Sequence, residues 1–189
     1  MNRPVIPIGL DFGGVIAHHL ATKCAIVLEM FGLDILPGLE ATRVHLLPRL
    51  GEPEYLRMTE ELSRRTSQFP LHIGVLKTLT MLVQTGFRFC VISTQTVATT
   101  QNIWEYIRGH QLPIEDAFVV TNDADKLDMV RATRVRMYCD DNTVVLDLLR
   151  PAGISLVWAN LSGLSDEGVT YPIAHSWEDL GVLIPQMFN

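Results

Sequence analysis

Predicted strands and helices alternate along most of the chain, and this alternation limits the possible folds more than any other feature. From Ile73 onward, segments with apolar residues at helical spacing are followed by short apolar runs that end in polar residues or glycine. Repeated strand–helix units predict a mainly parallel sheet covered by helices on both faces, so we expect an α/β protein with a three-layer, Rossmann-like sheet. The strands predicted in this part are Phe87–Ile92, Ala117–Val120, Val135–Cys139 and Ile154–Ala159.

A further strand is predicted near the N-terminus, where an apolar run ends at Asp11. Gly13 and Gly14 follow directly, and a short apolar run bounded by glycine is typical of a buried strand and a tight turn. Ligands of parallel sheets bind beyond the carboxyl ends of the strands, which makes Asp11 a candidate functional residue. The alternative is an aspartate that only bonds nearby amide groups in the turn.

The stretch from residue 18 to residue 71 has no strand pattern. Apolar residues at helical spacing and helix-ending residues predict helices at His18–Phe31, Leu39–Leu50 and Glu52–Arg65. We therefore predict a small helical insertion at residues 18–71 and a sheet-containing core formed by residues 1–17 and 72–189.

Composition disfavours several classes of protein. A length of 189 residues with 48% apolar residues is sufficient for one domain with a substantial core. The net charge of −6 and the lack of a long basic run argue against a nucleic-acid partner. The three scattered cysteines match neither a disulfide framework nor a zinc motif, no apolar run is long enough to span a membrane, and the N-terminus is a poor signal peptide. We expect a cytoplasmic protein without a membrane partner.

Four polar motifs lie where the predicted strands end or a helix begins. Asp11 ends the first strand in the sequence DFGGV, and Ser93 ends a later strand in CVIS. Lys126 lies at the start of a predicted helix, and Asp140 and Asp141 end the strand in MYCDD. Because the carboxyl ends of parallel strands lie at one edge of the sheet, these side chains are expected to meet there.

The order of these motifs resembles that of the haloacid dehalogenase superfamily, a large group of mostly magnesium-dependent phosphohydrolases. The resemblance covers the chain from about residue 8 to residue 160. It implies that residues 18–71 form a cap domain of the first type that this superfamily inserts. It also implies a hydrolase that acts on a small phosphorylated molecule.

The resemblance implies a role for each motif residue. Asp11 would attack phosphorus and form an aspartyl phosphate, Ser93 would donate to a phosphoryl oxygen, and Lys126 would offset negative charge. A hard cation is needed between the carboxylate and the phosphoryl group, and Mg²⁺ prefers oxygen ligands. The implied Mg²⁺ ligands are Asp11, the Gly13 carbonyl, Asp140 and Asp141. The implied substrate-binding residues are Gly13, Gly14, Ser93, Thr94 and Lys126.

Each of these residues also has a purely structural alternative. Ser93 could begin a loop, and Lys126 could be a solvated surface charge. Asp140 and Asp141 could cap the next helix, because aspartate is favoured at that position.

Glycine at position 13 departs from the family pattern, which has a second aspartate there. In the phosphatases that aspartate protonates the leaving oxygen and then activates water, and losing such a group costs roughly 10²–10⁴ in rate. We expect a phosphohydrolase with a weakened or relocated acid–base group. One alternative is a catalytically silent protein that binds a phosphorylated ligand or a protein partner. The sequence leaves open the oligomeric state and the roles of His18 and His19.

Another alternative is a phosphonatase- or dehalogenase-like hydrolase. Phosphonoacetaldehyde hydrolases carry a small residue at the second position and form a Schiff base with a cap lysine. Lys23 is the only lysine between residues 18 and 71 and lies early in that stretch, which makes it a poor match. Dehalogenases need no metal, so the acidic pair at Asp140 and Asp141 argues against them.

Overall fold

A single parallel sheet forms the centre of the computed structural model, which describes residues 5–95 and 99–188. Within these residues the sheet has six strands in the order β3-β2-β1-β4-β5-β6. All neighbouring strands run parallel. The strands are β1 (Ile6–Leu10), β2 (Phe87–Thr94), β3 (Asp116–Val120), β4 (Met137–Asp140), β5 (Ser155–Ala159) and β6 (Ile173–Ala174).

Helices cover both faces of the sheet, and this arrangement confirms the predicted three-layer α/β fold. Apolar side chains of α4, α5 and α8 pack on one face, and those of α6 and α7 pack on the other. The bounds of these helices are α4 (Val75–Gln84), α5 (Thr100–Gly109), α6 (Asp125–Thr133), α7 (Thr143–Leu149) and α8 (Trp177–Gln186).

The helical segment that follows β1 and precedes α4 has an apolar cluster of its own. It contains α1 (Leu20–Phe31), α2 (Arg43–Leu50) and α3 (Glu52–Arg64). Ile26 and Met58 are fully buried in its cluster. The two ends of the segment run side by side, since the amide of His18 donates to the Pro70 carbonyl at 2.8 Å and the amide of His72 donates to the Ile16 carbonyl at 3.0 Å. These features support the division at residues 18–71, which stays a prediction. The predicted core also includes residues 1–4, 96–98 and 189, which lie outside the described residues.

Several element boundaries differ from the sequence prediction. The helix predicted at Leu39–Leu50 is divided at Thr42, which has an extended backbone (φ −72°, ψ 156°) and donates its hydroxyl to the Leu39 carbonyl at 2.7 Å. Strand β2 continues to Thr94, two residues beyond its predicted end. Strand β6 is new, because two residues are too few to produce an alternating pattern.

The order of the central strands brings the predicted motifs together. Strands β2, β1 and β4 are neighbours, and Leu10 of β1 pairs with Val91 on one side and Cys139 on the other. Asp11 therefore follows β1 directly beside the ends of β2 and β4, at Ser93 and Asp140.

Candidate active site

The motif residues line one cavity at the carboxyl edge of the sheet. The cavity has a volume of about 830 Å³, which is large enough for a small organic ligand. Asp11, Ser93 and Asp140 line it from the strand ends, and residues of α1, α2 and α3 form part of the remaining wall. The cavity thus lies between the sheet edge and the helical segment.

Lys126 is buried and paired with two of the motif carboxylates. Its Nζ donates to Oδ1 of Asp11 and to Oδ2 of Asp140, both at 2.9 Å, and the side chain is only 3% exposed. Burial lowers the pKa of Lys126, but Asp11 and Asp140 favour the ammonium form and raise the pKa well above 10.5 overall. The alternative of a solvated surface lysine is therefore wrong.

Three carboxylates form a cluster that is suited to a divalent cation. One oxygen each from Asp11, Asp140 and Asp141 lies within 4.8 Å of the others. Two oxygens on opposite sides of one Mg²⁺ lie about 4.2 Å apart, so the spacing is close to that of a shared ion. Burial and the neighbouring carboxylates raise the pKa of Asp141 well above 3.8, and burial raises that of Asp140 to about 7 although Lys126 opposes this shift.

The helix after β4 is capped by a residue other than the acidic pair. Asn142 accepts from the amide of Val144 at 3.0 Å through its side-chain oxygen and so caps α7. Asp140 accepts from the Asn142 amide at 3.0 Å. The indole of Trp158 donates to the backbone carbonyl of Asp141 at 3.0 Å. The capping alternative for the acidic pair is therefore wrong, and the Asp141 carboxylate contributes to the cluster instead.

Gly14 makes room for Asp141. It has a φ of +82°, and a Cβ at this position would collide with the Asp141 carboxylate. Its amide donates to the Ala17 carbonyl at 2.9 Å, so in this arrangement the amide is already used within the turn. The predicted contact between Gly14 and the substrate stays a prediction, and the clear contribution of Gly14 is space.

His19 occupies the space beside Gly13. A Cβ at position 13 would lie 3.3 Å from Nδ1 of His19, so a side chain at position 13 would begin in tight contact with the imidazole. In the described part of the chain, this buried Nδ1 has no hydrogen-bond partner. Burial and the neighbouring Lys23 lower the pKa of His19 to about 3, so the ring is neutral. The sequence alone gave no indication of this contact.

Thr94 connects the sheet edge to the helical segment. Its hydroxyl donates to Oδ1 of Asp123 at 2.7 Å. Oδ2 of Asp123 accepts from Arg43 of α2 at 3.3 Å. The predicted substrate contact of Thr94 stays a prediction, since its hydroxyl is engaged within the protein. Neither Asp123 nor Arg43 belongs to a motif, and their pairing depends on the packing of α2 over the sheet edge.

Lys23 of α1 is a second buried lysine in the same cavity. It is 6% exposed, and its Nζ lies 6.0 Å from the centre of the Tyr55 ring. Burial lowers its pKa to about 8, although the nearby Asp141 opposes this shift. A signal for this position existed in the sequence, because Lys23 has helical spacing to the apolar residues Leu20 and Val27 and therefore lies on the buried face of α1.

Tyr138 of β4 packs near Lys126 and links its strand to β2. Its ring lies 5.7 Å from Nζ of Lys126, and its hydroxyl donates to the Ile92 carbonyl of β2. To reach β2 from β4, the ring passes over β1 at Gly9, where a Cβ would lie 2.6 Å from the ring. The absence of a side chain at Gly9 therefore permits this link.

Comparison with known proteins identifies relatives of this fold. No family model matches the chain. A protein of Oceanobacillus iheyensis that is described as a candidate nucleotidase is 24% identical over 123 residues, or 63% of this chain. The match spans 65% of the length of that relative.

None of the helices in the described part of the chain has the length and apolar character needed to cross a membrane.

Solved structures match almost the whole chain. A haloacid dehalogenase-like hydrolase from Streptococcus pneumoniae has a TM-score of 0.69 at 13% identity, covering 98% of this chain and 99% of that protein. A candidate hydrolase of the same group from Bacillus subtilis, solved with bound magnesium, has a TM-score of 0.65 at 14% identity. The match covers 96% of this chain and 99% of that protein. The chain therefore has the fold of the haloacid dehalogenase-like hydrolases.

Proposed function

We propose that this protein is a magnesium-dependent phosphohydrolase of the haloacid dehalogenase superfamily that acts on a small phosphorylated molecule. One observation carries the proposal: the Asp11 carboxylate is held by the buried Lys126 within a cluster of three carboxylates at the edge of a cavity. A carboxylate in this position can serve as a nucleophile, and the other two can serve as metal ligands.

Asp11 carries the nucleophilic step. Lys126 binds Oδ1 and thereby orients the carboxylate toward the cavity. An Asp11 oxygen forms a bond to phosphorus while the bond to the ester oxygen breaks, and the leaving alkoxide or phenolate takes a proton from solvent water. Water then attacks the phosphorus of the aspartyl phosphate, which releases phosphate and restores Asp11. Ser93 and Lys126 donate hydrogen bonds to phosphoryl oxygens.

The residues present fit a bound Mg²⁺. Asp11, Asp140, Asp141 and the Gly13 carbonyl would hold the ion, and the relative from Bacillus subtilis was solved with magnesium. When bound, Mg²⁺ supplies the positive charge that offsets the repulsion between the carboxylate and the phosphoryl group.

The missing second aspartate limits the range of substrates. Gly13 offers no group that can protonate the leaving oxygen, so esters whose leaving group departs without protonation should react fastest. Aryl phosphates meet this condition, and alkyl phosphates do not. Since the relative from Oceanobacillus iheyensis is described as a candidate nucleotidase, nucleoside monophosphates are a class to test.

The test is a phosphate-release assay with purified protein on aryl phosphates, alkyl phosphates and nucleoside monophosphates. We expect release that requires Mg²⁺, is abolished by EDTA and is lost in Asp11→Asn. Activity equal to that of Asp11→Asn on every ester would refute the catalytic proposal. The alternative favoured by Gly13, a catalytically silent protein, would then be tested by calorimetry with a phosphonate and Mg²⁺.

The phosphonatase-like alternative gains support from one observation, since Lys23 lines the same cavity as Asp11. An amine with a pKa of about 8 is partly uncharged near neutral pH and can attack an aldehyde. This alternative predicts that borohydride traps phosphonoacetaldehyde on Lys23, and mass spectrometry of the peptide would detect the adduct. Unmodified Lys23 after this treatment would exclude it.

A further inference from the structure

Lys23 is a buried cation without a partner of its own. Across residues 5–95 and 99–188, Nζ of Lys23 makes no hydrogen bond and no ion pair, whereas Nζ of Lys126 binds two carboxylates at 2.9 Å. The Tyr55 ring lies 6.0 Å from Nζ, and the Asp141 carboxylate is near enough to favour the charged form of Lys23 but lies beyond ion-pair distance. Burying a charge without a partner is unfavourable, and an acidic group on a ligand would supply the missing partner.

The position of Lys23 within the cavity indicates which part of a ligand it would meet. Asp11 and Lys126 line the sheet side of the cavity, where the phosphoryl group would bind. Lys23 and Tyr55 line it from α1 and α3 of the helical segment. A ligand whose phosphoryl group binds at the sheet edge can therefore extend its leaving portion toward Lys23.

Arg43 also lines the cavity, but its charge is already matched. Arg43 forms an ion pair with Asp123 at 3.3 Å, and its side chain is 57% exposed. Three lysine or arginine residues line the described part of the cavity, namely Lys23, Arg43 and Lys126. Of these, Lys23 is the one with no carboxylate within ion-pair distance.

We propose that Lys23 binds a second acidic group of the substrate, carried by the portion that leaves. An ammonium group offers three hydrogen-bond donors, and a carboxylate or a second phosphate supplies the complementary oxygens and charge. The substrate class is then a phosphomonoester whose alcohol portion is itself acidic. This inference rests on the proposed function, because it assumes that the phosphoryl group binds at Asp11.

The test compares ligands that differ only in the second group. The probes are propylphosphonate, which ends in a methyl group, 3-phosphonopropionate, which ends in a carboxylate, and ethylene-1,2-diphosphonate, which ends in a second phosphonate. Their dissociation constants are measured by calorimetry with Mg²⁺ for the parent, Lys23→Met and the exposed-lysine control Lys77→Met. The two acidic probes distinguish a carboxylate partner from a phosphate partner.

We expect at least one acidic probe to bind the parent about 10-fold more tightly than propylphosphonate, as one charge-assisted hydrogen bond would give. Lys23→Met should lose this preference while binding propylphosphonate as the parent does, and Lys77→Met should keep it. A preference that survives in Lys23→Met, or no preference in the parent, would overturn the inference and leave the proposed function intact. Failure of all three probes to bind the parent would overturn both.

A second measurement needs no substitution in the site. The chain has three lysines, so protein with ¹³C-labelled lysine gives three Cε signals, which the two methionine variants would assign. The Lys23 signal should shift with the preferred acidic probe and not with propylphosphonate. Equal shifts with both kinds of probe would contradict a contact between Lys23 and the acidic group.

Discussion

Replacing Lys23 by methionine should stabilise the protein, and the gain should depend on pH. The substitution keeps the length and approximate volume of the side chain and removes a charge that is 6% exposed and without an ion-pair partner in the described chain. Because the folded state alone bears the cost of burying this charge, the free energy of unfolding should rise.

The magnitude follows from the pKa of Lys23, which burial lowers from 10.5 to about 8. Each pKa unit corresponds to about 1.4 kcal/mol, so the charged lysine destabilises the folded state by about 3 kcal/mol at pH 7. Between pH 8 and pH 10.5 the unfolded chain binds more protons at this site than the folded one. The parent should therefore regain stability as pH rises through this range, whereas Lys23→Met should not.

The assay is urea denaturation of parent, Lys23→Met and Lys77→Met at pH values from 7 to 10, with EDTA present to remove metal. The difference between Lys23→Met and the parent should be largest below pH 8, and most of it should be gone by pH 10. The exposed-lysine control should show no such trend. A difference that stays constant from pH 7 to pH 10 would refute the burial of an unpartnered charge at this site.

The remaining predictions concern the carboxylate cluster and the two glycines. Asp141→Asn should weaken Mg²⁺ binding in calorimetry by about 10-fold or more, and parent-like affinity would remove Asp141 from the ligand set. Gly13→Asp should raise the turnover of alkyl phosphates relative to aryl phosphates by up to about 10²-fold. The increase should be larger when His19→Ala gives the new side chain space. An unchanged ratio would show that position 13 does not limit the reaction. Gly14→Ala should lower both the melting temperature and the Mg²⁺ affinity, because its φ is +82° and a methyl group collides with the Asp141 carboxylate. Parent-like values of both would contradict this packing.

The sequence predicted the site residues that lie at the ends of regular elements. Asp11 and Asp140 end apolar runs, and in a parallel sheet that alone directs them to the same edge. Lys126 was predicted as a site residue from its place in the order of motifs. In the structure it is buried and paired with two of the motif carboxylates.

Residues that reach the cavity through packing of the helical segment were beyond sequence reasoning. The contact between His19 and Gly13 depends on the turn after β1, and the pair of Arg43 with Asp123 joins residues 80 positions apart. Local periodicity carries no information on such contacts, since it reports only which face of an element is buried. Lys23 is intermediate. Its spacing to Leu20 and Val27 is a sequence signal for the buried face of α1, but the lack of a carboxylate partner became evident only with the structure of the cavity.

The crossing of the Tyr138 ring over Gly9 should leave a trace in the evolution of this protein. The ring and the empty position are complementary in volume, so neither can change alone without a clash or a void. Among homologous sequences, a larger residue at position 9 should be accompanied by a smaller one at position 138. Substitutions at these two positions should therefore be correlated along the phylogeny, even though the residues belong to different strands and lie far apart in the chain.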